Sequence, residues 1–378
     1  MELYELIAPC HFGLEAVMKR EILDLGYEIE RVEDGKVTFL ADAEGIAYAN
    51  LFLRTTERIL LKVGQVHAET YDELFEATKA LPWEKFIPKN GKFWVTKANS
   101  IKSKLFSPSD IQSIMKKAIV ERLKQVYHME WFPEDGAQYP IRVSILKDEV
   151  TIGLDTSGVS LHKRGYRKLT AKAPITETLA AALIMLTPWK GDRILVDPFC
   201  GSGTFPIEAA MIALNRAPGL NRSFMAQKWS CVPETVWQQA RTEALDREYR
   251  GEYHILGSDI DAASLEIAQQ NARKAGVGKL IEFREADATK MSLPSDRGII
   301  VCNPPYGERM LEQRSAQQLM VLLGVVSLAV TALLYLFRDL IVTRLFGHID
   351  ADVMEATNIY YSYVMASIPG IALYNGGA

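Results

Sequence analysis

The stretch DPFCGSGTF, Asp197–Phe205, decides the fold of the second half of the chain. It follows the apolar run RILVD and precedes FPIEAAMIALN, whose apolar spacing is typical of a helix. Gly201 and Gly203 allow the tight turn that joins a buried strand to a helix and leaves backbone N–H groups free for a ligand. This order predicts a ligand-binding βα unit, although a plain βα connection would have the same pattern.

Three more apolar runs follow, and each ends in polar residues: YHILGSDID, LIEFREAD and GIIVCNPPY. From Ile175 onward, apolar strands alternate with helical patterns, which indicates a parallel sheet that is buried on both faces. The next acids at a strand end are Asp259 and Asp261, 62 and 64 residues after Asp197. An NAD fingerprint needs its acid about 20 residues on, so the spacing disfavours that class of cofactor.

The acids at the strand ends suit a nucleoside ligand. A carboxylate at the position of Asp259 accepts hydrogen bonds from a ribose diol. Asp287 ends the next strand, where it would bond an adenine amino group. The alternatives are structural: Asp259 or Asp261, the latter in the better position, caps the following helix, and Asp287 is a solvated turn acid.

The motif NPPY, Asn303–Tyr306, follows the last of these strands. Pro304 and Pro305 fix the backbone and remove two N–H donors, so the turn is stiff and aims carbonyl oxygens in one direction. The Asn303 side-chain oxygen and the Pro304 carbonyl would accept hydrogen bonds from an exocyclic amino group of a base, on which Tyr306 would stack. A Pro-Pro turn that simply ends a strand is the alternative.

The first 160 residues mix strands and helices in a way that suggests an α+β region. Charge is uneven there: Met1–Glu84 holds 8 Lys/Arg and 17 Asp/Glu, whereas Lys85–Gln125 holds 10 Lys/Arg and 2 Asp/Glu. A basic block with interleaved aromatic residues favours RNA phosphates as the partner, and a solvated helix face is the alternative. The four cysteines lie far apart, which suits a reducing cytosol, and the N-terminus has no secretory signal pattern.

Three longer stretches carry a family resemblance: HKRGYRKLTAKAPITETLAAALI, DPFCGSGTFPIEAAMIALNRAPGLNRSF and IVCNPPYGERMLEQ. They resemble the THUMP-domain class I S-adenosylmethionine-dependent RNA methyltransferases, which include bacterial enzymes that methylate guanine N2 in 23S ribosomal RNA. The resemblance covers about residues 1–318. It implies a ferredoxin-like part over residues 1–60, a THUMP domain over 61–160 and a Rossmann-like methyltransferase domain over 161–318.

The resemblance also implies roles for individual residues. S-adenosylmethionine is the expected cofactor, no metal is required, and RNA is the expected partner. The residues expected to bind the cofactor are Asp197, Phe199, Gly201, Gly203, Thr204, Asp259 and Asp287. The residues expected to hold the target base are Asn303, Pro304, Pro305 and Tyr306. The RNA-binding residues are expected from the basic residues themselves and not from the resemblance: Lys97, Lys102, Lys104, Lys116 and Lys117 of the basic block, and Arg164 of the basic connector HKRGYRKLTAKAP.

The C-terminal tail departs from this family. Leu319–Phe337 is a stretch of 19 residues without a charge. As a helix it would be about 28 Å long, enough to cross a hydrocarbon core, which predicts a transmembrane helix over 319–337; a buried core helix is the alternative. Residues 320–378 resemble a fragment of a MATE-type multidrug transporter. We therefore expect the methyltransferase domain to be cut short after its fourth strand and to be followed by a hydrophobic helical tail.

Three functions fit the whole sequence. The first is methyl transfer to an amino group of an RNA base, guanine N2 of 23S ribosomal RNA by resemblance, although NPPY chemistry suits adenine N6 equally. The second is a membrane-associated protein derived from a transporter. The third is a non-catalytic RNA-binding protein that keeps the THUMP part. The sequence does not indicate an oligomeric state.

Overall fold

The computed structural model describes residues 3–167, 174–290, 297–304, 325, 327–337, 340–342 and 344, except for the side chain of Lys97. The chain divides into two compact units, Met1–Asn303 and Pro304–Ala378. All strands of both sheets lie in the first unit, and the apolar tail lies in the second.

The first sheet has seven strands. They are β1 (Tyr4–Pro9), β2 (Glu28–Glu33), β3 (Lys36–Ala41), β4 (Leu60–His67), β5 (Lys92–Ile101), β6 (Gln138–Leu146) and β7 (Glu149–Asp155). The helices between them are α1 (Glu15–Asp24), α2 (Ala43–Phe52), α3 (Tyr71–Ala80) and α4 (Pro108–Tyr127). The strand order is β2-β3-β1-β4-β7-β6-β5, and every pair is antiparallel except β5 with β6. The predicted α+β class of this region is confirmed.

Strand pairing crosses the predicted boundary at residue 60. In β1, Leu6 and Ile7 lie opposite Leu61 and Leu60 of β4. The ferredoxin-like part and the THUMP part therefore share one continuous sheet and one apolar core. The boundaries at residues 60, 160 and 318 remain predictions.

The second sheet is parallel and has four described strands. They are β8 (Ile194–Asp197), β9 (Ile255–Asp259), β10 (Ile281–Glu285) and β11 (Gly298–Ile300). The helices of this region are α5 (Glu177–Leu186), α6 (Thr204–Ala213), α7 (Glu234–Asp246) and α8 (Ala262–Lys274). The order is β10-β9-β8-β11, so the chain moves outward on one side of β8 and then returns to its other side. In open α/β sheets, the carboxyl ends of the strands at such a reversal form the ligand crevice.

Much of the segment between α6 and β9 packs on the first sheet. Its place in the sequence predicts an insertion in the methyltransferase domain, but Phe224, Trp229 and Trp237 lie in the core of the first sheet. Trp229 stacks on Tyr139 with ring centroids 4.9 Å apart, and its indole N–H donates to the Gln138 carbonyl at 2.8 Å. Buried aromatic rings thus anchor the insertion in the core of the first sheet.

Trp237→Ala is expected to lower the free energy of unfolding by about 3–5 kcal/mol, because it removes a large buried ring and leaves a cavity. Trp237 is 0% exposed and stacks on Phe224 with ring centroids 5.2 Å apart. Urea unfolding followed by circular dichroism measures the change. Trp131→Ala is the matched control because Trp131 is 73% exposed. Equal losses in the two variants would contradict this account of the insertion.

The described part of the tail is helical over residues 327–336. Leu328, Leu333 and Leu336 are 60%, 54% and 76% exposed, which does not match a buried core helix. Among the residues that the structure describes, no helix combines the length and the apolar character needed to cross a bilayer. The predicted transmembrane helix over 319–337 is therefore not supported, and its residues 319–324 and 326 lie outside the described part of the chain.

Candidate functional site

The glycine loop lies at the carboxyl end of β8. Gly203 caps α6 with φ +84°, and Gly201 has φ +50°, so both adopt the left-handed conformation that favours glycine. The Cys200 N–H donates to the Ser258 carbonyl of β9 at 2.9 Å and fixes the loop to the neighbouring strand. A Cβ on Gly201 would meet no atom within 4 Å, whereas one on Gly203 would lie 3.0 Å from the Ala268 Cβ. The open side of the loop is therefore at Gly201.

Asp259 connects this loop with the end of β9. One carboxylate oxygen accepts the Gly201 N–H at 2.8 Å, and the other accepts the Asp261 N–H at 3.0 Å. The Asp259 carbonyl accepts the Ala286 N–H at 3.0 Å, which holds the segment after β10 nearby. A carboxylate oxygen has two lone-pair sites, so each oxygen of Asp259 keeps acceptor capacity for a further donor such as a hydroxyl.

Asp197 is buried at the end of β8, with 1% of its surface exposed. One of its oxygens accepts the Phe199 N–H at 3.1 Å. Burial raises the pKa of Asp197 to about 7, and the negative charge of Asp259 acts in the same direction. Phe199 itself is 36% exposed beside this carboxyl. The site thus holds a carboxyl that changes charge near neutral pH.

Two further acids near the crevice have local hydrogen-bond partners. Asp261 accepts the Ala263 and Ser264 N–H groups at 3.2 Å each, so its capping of α8 is confirmed. Asp287 lies two residues beyond β10 and accepts the Thr289 hydroxyl at 2.7 Å and N–H at 2.9 Å. The hydroxyl bond is the main reason that the pKa of Asp287 is lowered. Its predicted contact with adenine remains a prediction.

The NPPY motif begins beside the glycine loop. The Val301 N–H donates to the Val196 carbonyl at 3.0 Å, which keeps the end of β11 against β8. Burial is the main cause that raises the pKa of Cys302, and the negative charge of Asp197 acts in the same direction. Pro304 is exposed, and Pro305 and Tyr306 lie outside the described residues.

The sequence patterns did not reveal two features of the site. Ile260 is 71% exposed between the two acids that end β9, and it offers an apolar surface beside a carboxylate. The sequence did contain a signal for Ile260, because an apolar side chain between two acids at a strand end has no core to pack into. The Thr204 hydroxyl accepts a hydrogen bond from Arg167 at 2.7 Å, a contact that sequence spacing does not reveal.

The predicted RNA-binding lysines differ in their surroundings. Lys102 is exposed and adopts φ +49° in the loop after β5. Lys104 is exposed but forms an ion pair with Glu69. Lys116 lies 4.2 Å from the centroid of the Phe93 ring and donates to the Phe93 carbonyl at 2.6 Å, and the Lys117 ammonium lies 5.8 Å from the Phe75 ring centroid. Lys102 is the least engaged of those described, and the side chain of Lys97 lies outside the described part of the chain.

Arg164 requires a correction. It was predicted to bind RNA, but only 3% of it is exposed. Its guanidinium donates to the carbonyls of Leu161 and Arg54 and lies 3.5 Å from the Glu208 carboxylate. The charge is neutralised inside the protein, because a buried cation needs such partners, and it is not available to a phosphate.

Comparison with known proteins shows to which family the chain belongs. Three family models match: the "RlmL ferredoxin-like domain" over residues 5–60, the "THUMP domain" over 68–155, and UPF0020, the "RMKL-like, methyltransferase domain", over 164–329. The protein "Putative RNA methyltransferase YpsC" of Bacillus subtilis (strain 168) is 49% identical over 322 residues, 84% of this chain and 83% of that protein. The chain belongs to the THUMP-domain, RlmL-like RNA methyltransferases.

Solved structures agree with this membership. A "predicted N6-adenine-specific DNA methylase" from Listeria monocytogenes str. 4b F2365 matches with a TM-score of 0.79 and 48% identity over 86% of each chain. SMU.472, solved in complex with SAH, matches with a TM-score of 0.78 and 41% identity over 86% of each chain. The predicted succession of a ferredoxin-like/THUMP N-terminus and a methyltransferase domain is confirmed. The resemblance of the tail to a MATE-type transporter gains no support from these comparisons.

The methyltransferase uses S-adenosylmethionine, as predicted, and SAH is what this donor becomes after it gives up its methyl group. The residues at the crevice fit such a ligand. Gly201 leaves open space above the loop, Asp259 keeps acceptor capacity for a ribose diol, and Ile260 presents an exposed apolar surface to a base.

Proposed function

We propose that this chain transfers the methyl group of S-adenosylmethionine to an exocyclic amino group of an RNA base, and that the base is a guanine of 23S ribosomal RNA, modified at N2. One observation carries the proposal: β8 pairs with β9 on one side and with β11 on the other. The glycine loop, Asp259 and the start of NPPY therefore share one edge of the sheet. A methyl donor held by the glycine loop and Asp259 therefore lies beside a base held by the start of NPPY.

The cofactor-binding roles follow from the contacts at this edge. Loop residues Asp197–Thr204 hold the methionine end of the donor, Asp259 takes the ribose hydroxyls, and Asp287 lies towards the adenine. Bound S-adenosylmethionine supplies a methyl group that is already activated by its positive sulfur. The protein needs alignment more than a strong base, and alignment of this kind contributes several kcal/mol, up to about 7–11 in the best cases.

The acceptor roles rest on the chemistry of an amide and a carbonyl at a rigid turn. The Asn303 side-chain oxygen and the Pro304 carbonyl accept the two N–H groups of an exocyclic amine. This turns the nitrogen lone pair out of conjugation with the ring and towards the methyl donor. Tyr306 would hold the plane of the same base by stacking, worth about 1–3 kcal/mol.

RNA as the substrate is supported by the THUMP match over residues 68–155 and by the name of the Bacillus subtilis relative. The exposed Lys102 lies in that region and suits a phosphate contact. A base inside a duplex must be extruded to reach NPPY, so an unpaired base costs less to bind.

The deciding experiment is methyl transfer from tritiated S-adenosylmethionine to undermodified 23S ribosomal RNA, followed by digestion and separation of nucleosides. N2-methylguanosine is the expected product. If the product is N6-methyladenosine, the target base is adenine and not guanine. Adenine is the base for which the Listeria monocytogenes relative is named. RNA binding with no labelled nucleoside at all would leave only the non-catalytic function.

Lys102→Glu is expected to weaken RNA binding several-fold at low salt and to reduce the slope of log affinity against log salt by about one, because one phosphate contact is lost. Filter binding at several salt concentrations measures both quantities. Lys190→Glu is the matched control, since Lys190 is also exposed but lies before β8. If both variants bind RNA like the unmodified chain, the basic block is only a solvated surface.

A further inference from the structure

The connector between the first sheet and α5 is held by its own charged side chains. Gly165 has φ +95°, and a Cβ there would lie 2.8 Å from the Asn221 carbonyl oxygen, so the connector passes the insertion closely. Tyr166 is buried and donates to the Glu208 carboxylate of α6 at 3.0 Å. Arg164 donates to the Arg54 carbonyl and lies 3.5 Å from the Glu208 carboxylate of α6. Residues 164–166 of the connector are therefore fixed between the two sheets.

Arg167 extends this connector to the glycine loop. Its Nη2 donates to the Thr204 hydroxyl at 2.7 Å and to the Ile175 carbonyl at 3.1 Å. Its Nε lies 3.1 Å from the Glu177 carboxylate, and the two side chains are only 12% and 4% exposed. One guanidinium thus joins the first residue of α6, the first residue of α5 and the backbone before α5.

The environment strengthens these contacts. Burial raises the pKa of Glu177, and the positive charge of Arg167 opposes that rise and favours the ionised carboxylate. In a dry surrounding, a charge-assisted contact of this kind is stronger and costs more to break than at the surface. A lysine could satisfy the charge but not all three partners, because its single ammonium lacks the planar fork of donors.

The start of α5 has a second contact, with Glu57 in the loop before β4. Thr178, in the first turn of α5, donates its hydroxyl to Glu57, and Glu57 also accepts the Ser160 hydroxyl at 2.5 Å and lies 2.8 Å from the His162 ring nitrogen. Burial opposes the ionisation of Glu57, yet these hydrogen bonds lower its pKa to about 2. The start of α5 is thus anchored in the first sheet independently of Arg167.

We propose that Arg167 is a positioning residue for the methyl donor: it fixes Thr204, and with it the glycine loop, from the connector that joins the N-terminal region to the catalytic domain. The inference rests on the proposed function only for the identity of the donor. It assigns no contact between Arg167 and the donor; the guanidinium acts through Thr204.

The test compares Arg167→Lys, Thr204→Val and the double variant in the full chain. Calorimetry with SAH, without RNA, measures donor-site affinity, and urea unfolding measures stability. Arg167→Lys is expected to raise the SAH dissociation constant about tenfold, because a small displacement of aligned groups is costly. Arg167→Lys should change RNA affinity by less than twofold. In the double variant the loss should be no larger than the larger single loss, since both substitutions break one contact.

Arg193→Lys is the matched control. Arg193 also pairs with a carboxylate, Asp192, but it lies before β8 at the opposite edge of the sheet and is 42% exposed. Unchanged SAH affinity in Arg167→Lys would overturn the proposal, and so would losses that multiply in the double variant. If the unmodified chain fails to bind SAH, the donor assignment fails together with this inference. A failed methyl-transfer assay with normal SAH binding would remove the RNA assignment alone.

Discussion

Asn303→Ala is expected to lower the rate of methyl transfer to RNA by about 10²–10³-fold, the loss typical when one aligned polar group at a reacting centre is removed. SAH affinity should change less than twofold, because the amide acts on the base and not on the donor. Single-turnover transfer of a tritiated methyl group measures the rate, and calorimetry measures SAH affinity. Asn303 follows β11 beside the glycine loop. It is described by the structure and is the last residue of the first unit.

Asn90→Ala is the control for Asn303. Asn90 is exposed in the first sheet region and donates to Asp135 at 3.2 Å. It should leave the transfer rate within twofold. An Asn303→Ala enzyme that transfers methyl groups at the unmodified rate would remove NPPY from the chemistry, while a parallel loss of SAH affinity would mean that the substitution disturbs the loop instead.

Asp197→Asn is expected to make the protein more stable at pH 8 and to weaken its binding of S-adenosylmethionine. The folded-state pKa of Asp197, about 7, lies above the ordinary value of 3.8. Between these values the folded state binds more protons than the unfolded chain, so the free energy of unfolding falls as pH rises from about 4 to about 7. Asparagine has no charge to bury, so the variant avoids this loss, which is worth roughly 1–3 kcal/mol at pH 8.

The binding effect has the opposite sign. S-adenosylmethionine is cationic, and an ionised Asp197 attracts it, so affinity rises as pH increases through 7. Asp197→Asn should raise the dissociation constant about tenfold or more at pH 8, since a charge-assisted partner is worth roughly 1.5–3 kcal/mol. The difference between the variant and the unmodified chain should shrink towards pH 5, because the protonated Asp197 carboxyl, like the asparagine amide, carries no charge that attracts a cation.

Urea unfolding and calorimetry at pH 5 and pH 8 measure the two effects on Asp197→Asn. Asp246→Asn is the control, because Asp246 is exposed at the end of α7. A stability difference that is the same at both pH values would show that the Asp197 carboxyl does not titrate near 7. Unchanged affinity at pH 8 would show that its charge does not reach the donor.

The catalytic half could be predicted well because its signals are local. A glycine pair after an apolar strand, an acid at the next strand end and NPPY after a fourth strand each depend on a few consecutive residues. Asp261 was foreseen as a cap for the same reason, since capping acts over three residues. Ile260 was overlooked although its neighbours were identified.

The errors came from contacts between residues that are far apart along the chain. Arg164 stands in a basic run and was predicted to face RNA, but Glu208, 44 residues later, neutralises it. The insertion after α6 lies within the residues that match the methyltransferase family model, and only the structure shows that its Trp229 and Trp237 complete the core of the first sheet. The apolar tail is a separate case: its length in the sequence matched a membrane span, yet the described residues contain no such helix.

The sequence by itself determined the order of strands, helices and polar strand ends, because periodicity, glycine conformation and proline rigidity are properties of neighbouring residues. Only the tertiary structure decided that one sheet runs through β1 and β4, that Arg167 reaches Thr204, and that Asp197 is buried deeply enough to titrate near pH 7. Those facts depend on which surfaces exclude water from one another, and that is set by packing between segments that no local pattern connects.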